Sequence, residues 1–313
     1  MKMVLSFISV EQSILRQGWA KAKEDRNRPP QVLGRLEKPP EKKDGLVCII
    51  DETGSISKSI KIWMPTGILV AEMYLLVASP WSIHKVDLDL SDVDRDVFSM
   101  RWFNGLHSIA RTRSGFLVTS TGLDLLLEFD QAGQVLWSWW ALEHGLNRTP
   151  MGLQRYINRS ADQRGFFYST TTHTTHINSA VELANGDILA SLFHQGMVIY
   201  IERKSGQWEP LLENLNHPHF VRLQSEDTFT VADSAHGRAL LVKMPSSKNA
   251  YIEREINLDT EWLADCFYDK ERGIWWLLDA HNSHVVMFSE ESKKYSHLVF
   301  NPEWRLYSLQ PMQ

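Results

Sequence analysis

At 313 residues the chain can bury one large all-β core or two ordinary ones, and its net charge of -5 offers none of the basic field that phosphate-neutralising proteins carry. Only Cys48 and Cys266 occur, without a CxxC pair, which excludes a disulfide framework and a cysteine zinc cluster and favours a reducing compartment. The apolar run in MKMVLSFISVEQ is short for a signal-peptide core, and no later stretch reaches the roughly 18 apolar residues of a membrane span. The expectation is a cytoplasmic protein with a small-molecule partner, bound to neither nucleic acid nor membrane; nothing in the sequence fixes its oligomeric state.

Residues 1–45 open with a strand, Val4 to Val10, and then become charged and proline-rich (Pro29, Pro30, Pro39, Pro40), a composition that suits an extended segment rather than a domain. From Leu46 to the end, runs of four to eight Val, Ile, Leu and aromatic residues alternate with Gly, Asp, Asn and Ser turns, and no stretch of helical length has a 3.6 period. Residues 46–313 are therefore expected to be all-β.

Four segments share one plan: HSIARTRSG at 107–115, NSAVELANG at 178–186, HFVRLQSED at 219–227 and DCFYDKERG at 265–273. In each, eight positions separate the first residue from the turn, and a second apolar strand follows. A third strand, a turn and a fourth strand repeat as well, with turns near Gly54, Ser91, Gly133, Gly206, Ser247 and Ser292. These turns are 37 to 45 residues apart except for one gap of 73. Four strands per 40-odd residues is the period of a β-propeller blade, and six blades fit. Strands three and four of the first blade lie at 46–62 and need inner strands from a chain end, for which Val4 to Val10 and Arg305 to Leu309 are the candidates. Closure removes the two open edges of an unclosed stack. The adjacent tryptophans Trp137, Trp139 and Trp140, and Trp275 and Trp276, suit strands buried on both faces.

The long gap marks an insert between the third and fourth blades, residues 141–175, rich in arginine and expected to cover one mouth of the central channel. Within it Arg148, Arg155 and Tyr156, together with Arg238, are candidate substrate-binding residues, since guanidinium groups take carboxylate, sulfate or phosphate bidentately. His144, in the dipeptide Glu143-His144, is a candidate acid/base group. So are His176 and His217, two positions before Asn178 and His219 and on the same side by strand alternation. His194, His236 and His281 follow second strands, a placement that suits hydrogen bonding at blade turns.

The segments HSIARTRSGFLVTST, HINSAVELANGDILAS and HPHFVRLQSEDTFTVADSAHGR, with LEFDQAGQVLWSWW, resemble strand motifs of six-bladed propellers of the NHL, gluconolactonase and arylsulfotransferase-like group. The resemblance spans roughly residues 46–300 and implies an active site at one mouth of the channel. In lactonase-type members the inner strands hold a divalent ion, and the matching positions here are His107, Asn178, His219 and Asp265. Two histidines among oxygen donors favour Zn, Fe or Mn over Ca, with no ion at all as the alternative. No GxGxxG, P-loop, GxSxG or HExxH occurs, so no nucleotide cofactor is expected. The expected function is that of a propeller lyase, isomerase or hydrolase acting on a small, anionic organic substrate. A protein-binding scaffold is the alternative.

Overall fold

The computed structural model describes residues 1–14, 16–17, 35–36, 44–246 and 249–312. Six four-stranded antiparallel sheets form a closed ring, a six-bladed β-propeller. Blade 1 is assembled from both chain ends: Arg305–Met312 is its innermost strand, followed outward by Lys2–Ser9, Asp44–Ile50 and Ile56–Trp63. Blades 2 to 6 run from the inside out, with inner strands Ile68–Val70, Leu106–Arg111, Ile177–Glu182, Pro218–Ser225 and Leu263–Asp269. The closing strands are the two named from sequence, and the first pairs with the last from Lys2 opposite Met312 to Ser9 opposite Arg305. The expected turn near Ser247 and the four prolines lie outside the described residues.

Side-chain alternation explains the closure. In the N-terminal strand Met3, Leu5 and Phe7 pack with Trp276, Leu278 and Val285 of blade 6, while Val4 points the other way, toward Ile68, Leu75 and Val77 of blade 2. One apolar cluster of this kind lies between every pair of neighbouring blades. Middle strands therefore read as mostly apolar runs, such as LLLEF at Leu125–Phe129, which is buried throughout. The rim strands carry charge instead, as in VDRDVF at Val93–Phe98, which discourages edge pairing. Trp139, Trp275 and Trp276 fill inter-blade cores.

The insert lies over blades 2 and 3. Trp102 Nε1 donates to the Arg159 carbonyl (2.8 Å), the Asn104 amide to the Gln163 carbonyl (2.6 Å), and Trp81 Nε1 to the Phe166 carbonyl (3.2 Å). Phe167–Tyr168 adds a two-residue ladder with Arg35–Leu36. Among the described residues no helix is long and apolar enough to cross a membrane.

Candidate functional site

Four inner strands begin with the same irregularity. Each has a β-bulge near its first residues: opposite Ser120 and Val118 in blade 3, at Asn178 in blade 4, beyond His219 in blade 5 and between Leu263 and Asp265 in blade 6. Bulges break strict alternation and re-aim side chains. In blades 3, 4 and 5 the residue two positions before His107, Asn178 and His219 is left-handed, at φ 57° for Gly105, 50° for His176 and 57° for His217. Glycine takes this conformation freely; a histidine there costs of order 1 kcal/mol. The chain keeps histidine at two of the three places, and both rings enter one cluster.

That cluster is a chain of ring contacts at the mouth where the inner strands begin. His107 meets His176 edge-on at 4.9 Å and Tyr307 at 5.7 Å. His176 stacks on His173 at 4.8 Å and touches Phe193 at 4.7 Å and His194 at 5.9 Å. Phe193 lies 4.0 Å from His217 and 5.6 Å from His219, and Trp262 stands 5.9 and 5.4 Å from the same two rings. Blades 1, 3, 4, 5 and 6 all contribute. His173, His176 and His219 are buried, while His107, Phe193, His194, His217, Trp262 and Tyr307 are half-buried around them.

Hydrogen bonds fix the key imidazoles. His107 Nδ1 lies 2.8 Å from the Gly105 carbonyl and His219 Nδ1 2.9 Å from the His217 carbonyl, the same step two residues back. A carbonyl only accepts, so Nδ1 carries the proton in both rings and Nε2 is left as a bare acceptor. Ser234 Oγ, 2.8 Å away, also holds the His219 ring. Burial pushes His107 down to about 4 and His219 down to about 3, so both are neutral at pH 7. His173 Nδ1 and His176 Nδ1 are 2.6 Å apart, an imidazole pair sharing one proton. Burial, then Arg155 for His173 and then His173 for His176, holds both well below the usual histidine range.

The loop carrying this pair hangs on Asp124, a fully buried carboxylate. It accepts the backbone N–H groups of Thr174 (2.8 Å), Thr175 (2.9 Å) and His176 (2.8 Å), and the Thr175 hydroxyl at 2.8 Å. Arg155 Nη1 completes the set at 2.5 Å. Burial alone would raise this carboxyl, but Arg155, His173 and these donors hold it well below the usual carboxylate range.

Several sequence expectations need correction. Arg155 is spent on Asp124 and the Gly122 carbonyl, so it positions the insert rather than holding substrate. Arg148 is exposed and donates to the Gly152 carbonyl, and Tyr156 is 53% exposed, because both sit on the outer surface of the insert. Arg238 is taken up by Asp233 (2.6 Å) and Glu255 (3.1 Å) within blade 5. His144 stacks on Trp139 at 5.1 Å, against the turn at Gly206 between the outer strands of blade 4, away from the channel. Asp265 is fully buried but occupied by Arg222 (2.9 Å), Ser308 and the Leu309 N–H. Asn178 donates to the Pro218 carbonyl (2.9 Å), and its Oδ1 is buried with no partner. The insert sits on the same face as the mouth, but only its last turn, Ser169 to Thr175, reaches the channel histidines, where His194 Nε2 meets the Thr170 carbonyl at 2.8 Å.

The expected divalent ion does not fit these residues. Among the described residues no three His, Cys, Asp or Glu side chains are grouped to hold a metal. The carboxylate of the expected ligand set, Asp265, already has a guanidinium partner.

Below the mouth the channel opens into a cavity of about 220 Å³ lined by Ser108, Ser179, Phe220, Arg222 and Gln310 among others. Sequence reasoning missed Asp124, His173, Phe193, Trp262 and Tyr307. An acidic residue inside the apolar run GLDLLLEF was a usable signal for Asp124; the aromatic residues carried none.

No protein-family model matches the chain, and no curated protein matches it. Among solved structures, a protein of unknown function from Bacteroides caccae is 13% identical with a TM-score of 0.57, over 84% of this chain and 93% of that one. A chain of the nidogen/laminin complex is 10% identical with a TM-score of 0.57, over 85% and 94%. Virginiamycin B lyase from Staphylococcus aureus is 12% identical with a TM-score of 0.49, over 77% and 72%. At such identities the likeness is one of fold alone: the chain is a six-bladed β-propeller whose chemistry has to be read from its own residues.

Proposed function

We propose that the chain is an enzyme converting a small organic molecule at the histidine mouth, by a lyase, isomerase or hydrolase reaction in which imidazole moves the proton. The observation that carries this reading is the matched pair His107 and His219, each locked with Nδ1 protonated and Nε2 bare. A neutral imidazole with a free Nε2 is in the right form to take a proton at pH 7. Its low pKa makes the charged form costly unless negative charge develops beside it, so proton transfer is coupled to formation of an oxyanion or carbanion on the substrate. The His173–His176 pair supplies the complementary step. With the shared proton held on His173 Nδ1, neutral His176 carries its own proton on Nε2 and presents it as a hydrogen-bond donor to the developing oxyanion. No metal step enters.

The test is to incubate purified protein with a protein-free cell extract and follow its small molecules by mass spectrometry. At least one compound should be consumed with a matching product, and His107→Asn and His219→Asn should each slow that conversion at least about 100-fold. Asparagine keeps an Nδ donor for the carbonyl two residues back and deletes Nε2. No conversion by the wild-type chain, or full conversion by both variants, would contradict the reading. The rival reading is a binding propeller, favoured by the exposed Met151, Leu153 and Tyr156 on the insert, at 48, 42 and 53%. It predicts no conversion at all.

A further inference from the structure

We infer that the mouth selects uncharged, flat molecules carrying O–H or N–H donors, because three successive blades each present a hydrogen-bond acceptor there and the surrounding wall is aromatic. The inference deepens the proposed site and rests on that reading of the mouth. The acceptors occupy one repeat position. Nε2 of His107 and of His219 are acceptors because the protons on Nδ1 are held by Gly105 and His217. In blade 4 the equivalent residue is Asn178, whose N–H₂ is spent on Pro218, leaving Oδ1 buried without a donor. A buried acceptor left unpaired costs about 1–3 kcal/mol, so a ligand that brings donors recovers energy that one without them cannot.

The charged groups nearby are already occupied. Arg155 faces Asp124, and Arg222 faces Asp265. Arg305, at the start of the innermost strand of blade 1, donates to the Ala280 carbonyl (2.6 Å) and to Gln12 (3.2 Å). The half-buried rings of Phe193, His217, Trp262 and Tyr307 supply flat surface. At these three positions a carboxylate ligand would meet lone pairs that repel it, while a phenolic or N–H-bearing ring would meet partners.

Calorimetry and histidine NMR with three probes test this: resorcinol, 1,3-dimethoxybenzene and benzoate. Resorcinol should bind at least tenfold more tightly than its dimethyl ether, which has the same ring without donors, and should shift the Nε2 resonances of His107 and His219. His107→Asn and His219→Asn should each reduce that preference. Equal affinity for resorcinol and its ether would overturn the inference. So would tighter binding of benzoate, which would make Arg305 rather than the imidazoles the anchor. These binding results are independent of turnover: resorcinol preference without any conversion would remove the enzyme reading and leave the donor-selective site standing.

Discussion

Replacing Asp124 by alanine is expected to destabilise the protein by about 3–5 kcal/mol, because it strands a buried guanidinium and three backbone N–H groups at once. Arg155 is 3% exposed and would keep the Gly122 carbonyl and the Tyr168 ring but no anion. Thr174, Thr175 and His176 would lose their shared acceptor. Against a total stability of about 5–15 kcal/mol this brings the fold close to its limit. A second variant separates the charge from the loop: in Asp124→Ala with Arg155→Met no buried charge is left unpaired, so urea melts should show it more stable than the single variant. The loop would remain unanchored in both, and His173 and His176 would lose their common setting. Unchanged stability of Asp124→Ala would show that the carboxylate does not hold the insert.

Blade number, the equal spacing to the turns and the use of both chain ends for closure were legible because each rests on period-two burial, and every blade must bury its faces against two neighbours. Equal register in a ring means equal height, which explains why the His107 and His219 rings meet one cluster; Asp265, at the same register, is instead turned to Arg222 and the Leu309 N–H. Alternation alone does not place His176 beside Asn178. Bulges and left-handed residues intervene, and both reflect backbone geometry that hydrophobic patterning does not encode. The arginines misled because a basic surface loop and a substrate clamp have the same composition; Arg155 binds a carboxylate, but that of Asp124. Phe193, Trp262 and Tyr307 come from three different blades and look like ordinary core residues until the ring closes.

Acid should weaken the fold over a range where exposed carboxylates are still ionised. His107 and His219 have pKa values of about 4 and about 3 when folded, against an ordinary value near 6.5, with burial as the cause. A depressed histidine is neutral in the folded chain and protonated first in the unfolded one. Its contribution is thus complete above about pH 6.5 and is lost as pH falls toward the folded value, at about 1.4 kcal/mol per pH unit per group. From pH 7 to pH 5 these two cost about 3 kcal/mol, allowing for partial solvent screening at His107. His173 and His176, lowered for the same reason, add to the loss. Asp265, which burial raises despite Arg222, works in the opposite sense. Urea melts at pH 7 and pH 5 should show the fall, and the double variant His107→Asn with His219→Asn should show a shallower one. Equal stability of the wild-type chain at the two pH values would mean that these rings are not buried neutral.

The protonation state of the two matched imidazoles is measured directly by nitrogen-15 NMR of histidine-labelled protein, with long-range couplings assigning each ring nitrogen. In both His107 and His219 Nδ1 should be protonated and Nε2 bare at pH 7, and neither ring should take up a second proton down to pH 5. Protonated Nε2 in either ring at pH 7, or titration of either near 6.5, would contradict this.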